Sequence, residues 1–370
     1  MKVLILSNGK GEDSIAVTVL DQLRQLFNNK KTDIDLTAMP IIGNGNGYAK
    51  AGIKVIGSND ILPSGGFVLQ KFSSFITDIR AGLFALHSRQ LKTIKQESPD
   101  MIIAFGDIFP VILALLSGKP VIHVGTAYSV HLRKLIALEK WLFRKCRLIL
   151  SRDEPTAVHL RDCGINAVCV GNPMMDDPLL SEGTNGNKDL NTHHLTVGLI
   201  PSSRIDAYDN LQKMLDVIQY IPQKENIAFL VSVAPNLETK KIESIISEYK
   251  QRLELRLVKG SLGDVIRPSK IAIGMTGTGN EQVVGLNTPL VLLQGGGPQS
   301  SSARMKHYQR LLGDAVFVPQ GNKEQIGQQI GELIKDEQRL TRMGKVGLER
   351  MGPPGAALKM AEIIREYIKE

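Results

Sequence analysis

Four stretches carry the residue types that handle phosphate, ribose and proton transfer. One is Ser7-Asn8-Gly9-Lys10-Gly11-Glu12-Asp13-Ser14. Glycines at a strand-to-helix turn let backbone N–H groups approach an anion at a helix N-terminus. Gly9-x-Gly11 begins a dinucleotide fingerprint, with Asp33 and Asp35 at about the right distance for a ribose-binding acid. Ser14, however, stands where the third glycine belongs. Asn8, Gly9, Lys10 and Gly11 are therefore candidates for a glycine loop near an acceptor or donor. A dehydrogenase site and a bare structural turn compete with that reading. A second stretch is Pro201-Ser202-Ser203-Arg204. Small hydroxyl residues beside a cation suit a diphosphate: N–H and O–H donors meet its oxygens and the guanidinium adds a bidentate clamp. A helix cap followed by a solvated Arg would have the same sequence. A third is Thr276-Gly277-Thr278-Gly279-Asn280-Glu281-Gln282, a Gly/Thr loop for phosphate with an acid one turn on for ribose hydroxyls. The fourth, Gly295-Gly296-Gly297-Pro298-Gln299-Ser300-Ser301-Ser302, reads as a mobile loop over a site, or as a plain connection.

The elements that must position these stretches repeat in one rhythm. Short apolar runs at 3–7, 35–39, 100–105, 120–124, 147–150 and 167–170 alternate with helical patterns. Residues 181–194 (SEGTNGNKDLNTHH) lack apolar periodicity and read as a linker. The rhythm restarts at 196–200, 227–233, 253–258, 271–273, 290–293 and 315–318. Near-continuous apolar strands separated by helices predict parallel sheets covered on both faces. Each motif follows a strand and all but the fourth lead into a helical pattern, so the chain is α/β, with two doubly wound halves.

Composition sets the outer bounds. The 370 residues, 42% of them hydrophobic, can fill two cores. No uncharged apolar run reaches the ~18 residues of a membrane span. The apolar start is too short for a signal peptide and turns directly into the first glycine loop, which predicts a cytoplasmic protein. Cys146, Cys163 and Cys169 form no C-x-x-C pair, so neither a disulfide framework nor a structural zinc is expected. A net charge of +8 favours anionic partners. Only 5% of residues are aromatic and no stacking motif occurs, which favours phosphates and lipid headgroups over nucleic acid.

Ordered along the chain, Pro99-Asp100-Met101-Ile102-Ile103-Ala104-Phe105-Gly106-Asp107, Gly118-Lys119-Pro120-Val121-Ile122-His123-Val124, Val170-Gly171-Asn172-Pro173-Met174-Met175-Asp176, the second and third loops, and Met351-Gly352-Pro353-Pro354-Gly355-Ala356 resemble lipid-A-disaccharide synthase. They resemble more closely the lipid-A-disaccharide-synthase-related proteins of cyanobacteria. The third loop is also similar to the peptidoglycan N-acetylglucosaminyltransferase and to the UDP-N-acetylglucosamine 2-epimerase. The resemblance implies a GT-B architecture of two Rossmann-like domains facing a cleft. It implies an acceptor-binding domain at 1–172, a hinge at 173–195, a UDP-sugar-binding domain at 196–352, and a C-terminal helix at 353–370 packing back on the first domain. The family's Pro-Gly-Ser-Arg loop on the diphosphate corresponds to Pro201, Ser202, Ser203 and Arg204, with Ser202 in place of Gly. Its ribose-binding Glu falls on Gln282, with Glu281 beside it. Its catalytic Asp corresponds to Asp107, the carboxylate at that strand end, and its first loop partly to Glu12.

The expected activity is transfer of a hexosamine or hexose from a UDP-sugar to a lipid or lipid-linked acceptor, by a peripheral protein at the inner face of an anionic membrane. Asp107, Glu12 or His123 would take the acceptor proton, His123 reading also as a buried strand-end histidine, and Arg204 with the 276–279 amides would stabilise the leaving diphosphate. No cofactor or metal is required, since Arg and helix N-termini neutralise UDP; Asp176-Asp177, before Pro178, reads as a hinge turn. Two basic amphipathic segments, 67–95 and 133–152, suit an interfacial surface, with Phe67, Phe75, Phe84 and Trp141 as anchors, although core-facing stripes would look the same. A homodimer is left open. An epimerase acting on a UDP-N-acetylhexosamine, and a non-catalytic sugar-nucleotide-binding protein, are the alternatives.

Overall fold

Residues 1–28, 34–57, 83–181 and 195–369 are described by a computed structural model of the chain. Two compact units divide it: Met1–Asp176 with Pro354–Glu370, and Asp177–Pro353. Residues 173–181 are drawn into two 3-10 turns, Pro173–Asp176 and Pro178–Leu180. The rest of the predicted linker, 182–194, lies outside the described residues.

The first unit holds seven strands: β1 (Lys2–Ser7), β2 (Asp35–Pro40), β3 (Lys54–Val55), β4 (Met101–Gly106), β5 (Val121–Gly125), β6 (Leu148–Ser151) and β7 (Ala167–Cys169). Their order is β3-β2-β1-β4-β5-β6-β7, every pair parallel. The strands are apolar on both faces because helices cover both, as in β4, where all six residues are buried. The chain leaves β1 for β2 and β3, then returns to β4 on the other side of β1. That reversal makes a switch point between β1 and β4, where loops diverge and leave room for ligands.

The second unit repeats the plan with β8 (Leu195–Ile200), β9 (Ile227–Val233), β10 (Glu254–Lys259), β11 (Ile271–Gly274), β12 (Leu290–Leu292) and β13 (Val316–Phe317), ordered β10-β9-β8-β11-β12-β13 and again all parallel. Its switch point lies between β8 and β11, which pair from Val197↔Ile271 to Ile200↔Gly274. The core beneath it includes Leu199, Leu211, Phe229, Ile273 and Val291. The closing helix Ala356–Lys369 belongs to the first unit and packs along helix Lys10–Asn28. Asp176 ties it down, accepting the backbone N–H groups of Gly355 and Ala357.

Among the described residues no helix is long and apolar enough to cross a membrane. Of the basic segment 67–95, residues 67–82 lie outside the described residues, and Phe84 is described by its backbone alone, in helix Leu83–Glu97.

Candidate functional site

Both switch points collect the residues singled out by the sequence, each within its own unit. In the first, Asn8 and Gly9 leave β1, and Gly106 and Asp107 leave the adjacent β4. Asp107 caps helix Ile108–Leu116: its Oδ1 accepts the Phe109 N–H at 2.9 Å. Its Oδ2 accepts Nδ2 of Asn8 at 3.1 Å, which joins the two loops. Burial raises the Asp107 pKa above the ordinary carboxylate value, and the two donors oppose the rise. Glu12, on the first turn of helix Lys10–Asn28, lies against Gly106: a Cβ there would come within 3.1 Å of its Cγ. Gly106 has φ +115°, so both its backbone and the nearby acid require glycine. The Asn8 Oδ1 is buried with no partner. Asn8, Glu12 and Asp107 thus form one cluster, and Gly9 leads into helix Lys10–Asn28, which Lys10 and Gly11 open.

His123 does not join them. It is 1% exposed on β5, stacked on Phe143, with Nδ1 2.9 Å from the Ala104 carbonyl oxygen. A carbonyl only accepts, so Nδ1 carries the proton. Burial lowers its pKa to about 4, so the ring is neutral near pH 7. It is a satisfied core histidine, the reading that competed with catalysis in the sequence.

Asp13, not among the residues expected to act, is buried. It accepts the Ser7 hydroxyl at 2.6 Å, and Ser7 in turn accepts Tyr48 OH at 2.8 Å. This chain stitches the end of β1 to two helices. Burial pushes the Asp13 carboxyl up to about 6, against the pull of the Ser7 hydrogen bond.

In the second unit the two phosphate-type loops leave neighbouring strands. Asn210, 1% exposed, spans them: its Nδ2 donates to the Pro201 carbonyl at 2.8 Å and to the Met275 carbonyl at 3.4 Å. Ser203 is held by Asn236, whose Nδ2 donates to its carbonyl at 2.7 Å. Arg204 is exposed beside them. Ser202 adopts φ +146°, a region that favours the glycine expected there, and its Oγ accepts the Arg204 N–H at 3.1 Å. Tyr308 fixes the other loop from below, its OH lying 3.2 Å from the Thr276 carbonyl and 3.0 Å from that of Gly277. Helix Thr278–Gly285 starts with no side-chain cap, and its Asn280 N–H turns back to the Gly277 carbonyl at 3.1 Å; N–H groups at such a helix start suit an anion. Thr276, Gly279, Asn280, Glu281 and Gln282 are buried around that end.

The glycine-serine loop after β12 is packed against these loops rather than standing off as a cover. Gln299 and Ser300 are buried, and a Cβ on Gly297 would collide with Asp206. Tyr308 and Asn210 escape sequence reasoning because nothing in their spacing marks them as neighbours of loops distant along the chain.

The predicted basic block 133–152 is only partly a surface. Arg133 is bound bidentately by Glu139, Arg144 donates to the Cys163 carbonyl, and Arg152 is buried with Nη1 on the Thr126 carbonyl. Lys134, Lys145 and Arg147 stay exposed, as do Ile136, Leu138 and Trp141, which are 59%, 58% and 55% exposed. The Lys145 ammonium lies 4.5 Å from the Trp141 ring centre.

Residues 157–294 match the family model for lipid-A-disaccharide synthetase, a span that includes the loops at 201–204 and 276–282. No curated protein matches the sequence. Among solved structures, the calicheamicin glycosyltransferase CalG4 superposes with a TM-score of 0.69 at 12% identity, covering 100% of this chain and 98% of that one. MnaA of S. aureus, in a co-structure with UDP, gives 0.61 at 17% identity over 100% and 97%. The UDP-GlcNAc 2-epimerase of Neisseria meningitidis bound to UDP-GlcNAc gives 0.58 at 12% identity over 100% of both chains. The fold is of the GT-B glycosyltransferase type, two parallel-sheet α/β domains of seven and six strands.

Proposed function

We propose that the chain transfers a hexosamine or hexose from a UDP-sugar to a lipid or lipid-linked acceptor at the inner face of a membrane, with inversion at the anomeric carbon. The observation that carries this reading is the pair of loops at the second switch point, held together by the Asn210 amide. One loop offers a guanidinium and hydroxyls, the other an uncapped helix N-terminus. Together they match the two phosphates of a nucleotide diphosphate. Glu281 and Gln282 lie one turn further in, where hydroxyls of the nucleotide would fall. The match to lipid-A-disaccharide synthetase over this region supports the same assignment.

The reaction derives from these groups. Asp107, assisted by Glu12, accepts the proton of the acceptor hydroxyl as its oxygen bonds to the anomeric carbon. The bond from that carbon to the diphosphate oxygen breaks, and its electron pair leaves with UDP. Arg204 and the N–H groups at the start of helix Thr278–Gly285 meet the charge that develops there, so this scheme calls for no metal. His123 has no part in it. The exposed Ile136, Leu138 and Trp141, with Lys145 over the Trp141 ring, support docking on an anionic lipid surface.

Replacing Asp107 by Asn tests the base. Transfer should fall by about 10²–10⁴-fold, while UDP binding, which belongs to the other unit, is retained. Unchanged turnover overturns the assignment. The epimerase reading is favoured by the likeness to an epimerase bound to UDP-GlcNAc; it requires turnover of the UDP-sugar with no acceptor present.

A further inference from the structure

We propose that Asp177 reads the ribose hydroxyls of the bound nucleotide, in partnership with Gln282. This assignment rests on the donor site proposed above. Gln282 follows Thr278 by four residues on helix Thr278–Gly285, so it lies one turn inward on the same face. One turn rises about 5.4 Å, a step comparable with the span of a ribose esterified to a diphosphate at the helix end. A glutamine there is a poor reader of a vicinal diol. Its amide has one acceptor oxygen and no charge, whereas two ribose hydroxyls are best met by the two oxygens of a carboxylate.

The carboxylate is delivered from elsewhere in the sequence. The Gln282 Nε2 donates to Oδ2 of Asp177 at 3.2 Å, across 105 residues. The Asp177 Oδ1 accepts the Leu179 N–H at 2.9 Å. Each oxygen therefore has one N–H donor. Each oxygen also keeps a second lone pair. Asp177 is partly exposed while Gln282 is buried, so the carboxylate rather than the amide faces outward. The bond to Leu179 suffices to cap the turn Pro178–Leu180; that need does not explain the second oxygen and its tie to Gln282. Gln282 is accordingly a positioning residue, and Asp177 the one that touches ligand.

The experiment titrates UDP and 2′-deoxy-UDP into the full-length protein calorimetrically, using wild type, Asp177→Asn and Asp177→Ala. Wild type should bind UDP at least tenfold more tightly than 2′-deoxy-UDP. Both variants should lose that preference, with UDP weakened more than 2′-deoxy-UDP, which keeps only the 3′ hydroxyl for the carboxylate, and an unchanged thermal melt reports an intact fold. Equal wild-type affinity for the two nucleotides overturns the assignment without any variant, and leaves the donor site standing. Variants that weaken both nucleotides equally, with the preference intact, overturn it too and reduce Asp177 to a turn cap. A wild type that binds neither overturns the donor site itself, and this assignment with it.

Discussion

At the scale of the residue, the strongest pressures fall on charged and strained groups at the two switch points. Asp107 is raised by burial and held down by Asn8 and the Phe109 N–H. A base must be ionised to act, so a raised pKa moves the acid limb of kcat/KM to higher pH than an ordinary carboxylate gives. Asn8→Ala removes a donor to the charged form and should move that limb higher still; a limb unmoved in the pH–rate profile would detach Asn8 from the base. Ser202 poses the opposite case, since its φ of +146° strains a residue with a Cβ. Such strain costs about 1–3 kcal/mol, and the added freedom of an unfolded glycine offsets part of the relief. Ser202→Gly should therefore raise stability by about 1 kcal/mol in urea unfolding, and a loss of stability would show that the Oγ bond to the Arg204 N–H outweighs the strain. Residue types and spacing made the loops legible in the sequence. They did not reveal which of their members touch. Asp177 read as a turn residue and does cap the turn Pro178–Leu180, but its tie to Gln282, 105 residues on, was not legible; for His123 the buried reading competed with catalysis, and the structure shows the ring inside β5.

Elements were easier to read than contacts, for a physical reason. A strand buried on both faces must be apolar throughout, so β1, β4, β8 and β9 announce themselves as continuous runs. The short strand Lys54–Val55, half exposed at the sheet edge, carries no such run and was not legible. Where a strand hands over to a helix, polar side chains must be satisfied from several elements at once, as in the Tyr48–Ser7–Asp13 chain. That junction gives a pH-dependent stability. Folded Asp13 titrates near 6 against 3.8 for the ordinary group. Between those values the folded state binds more protons than the unfolded, so stability from this group falls as pH rises through the window. Above about pH 6 the full cost is present, on the order of 3 kcal/mol. Asp13→Asn keeps an acceptor for the Ser7 hydroxyl and removes the charge. The variant should melt higher than wild type at pH 8, with the advantage shrinking toward pH 4; a gain that does not depend on pH would refute this account of Asp13.

For the molecule as a whole, the same open-sheet plan appears in both units, and each places its reactive loops where the strand order reverses. The first unit carries carboxylates at its switch point, and the second carries amides, hydroxyls and a guanidinium at its own. The first also exposes Ile136, Leu138 and Trp141, and with them Lys134, Lys145 and Arg147. The protein should float with anionic vesicles at low salt and detach as salt rises, since exposed charges are screened within about 8 Å at physiological ionic strength. Trp141→Ser with Ile136→Ser should abolish flotation, whereas flotation that survives both changes would move the docking surface elsewhere. The central claim is that the second unit holds a UDP-sugar by its diphosphate. Calorimetric titration of UDP-N-acetylglucosamine and UDP into wild type and Arg204→Ala tests it most directly. The account predicts saturable binding of UDP by wild type, weakened at least tenfold in Arg204→Ala; no heat from either nucleotide, or equal affinity in both proteins, would contradict it.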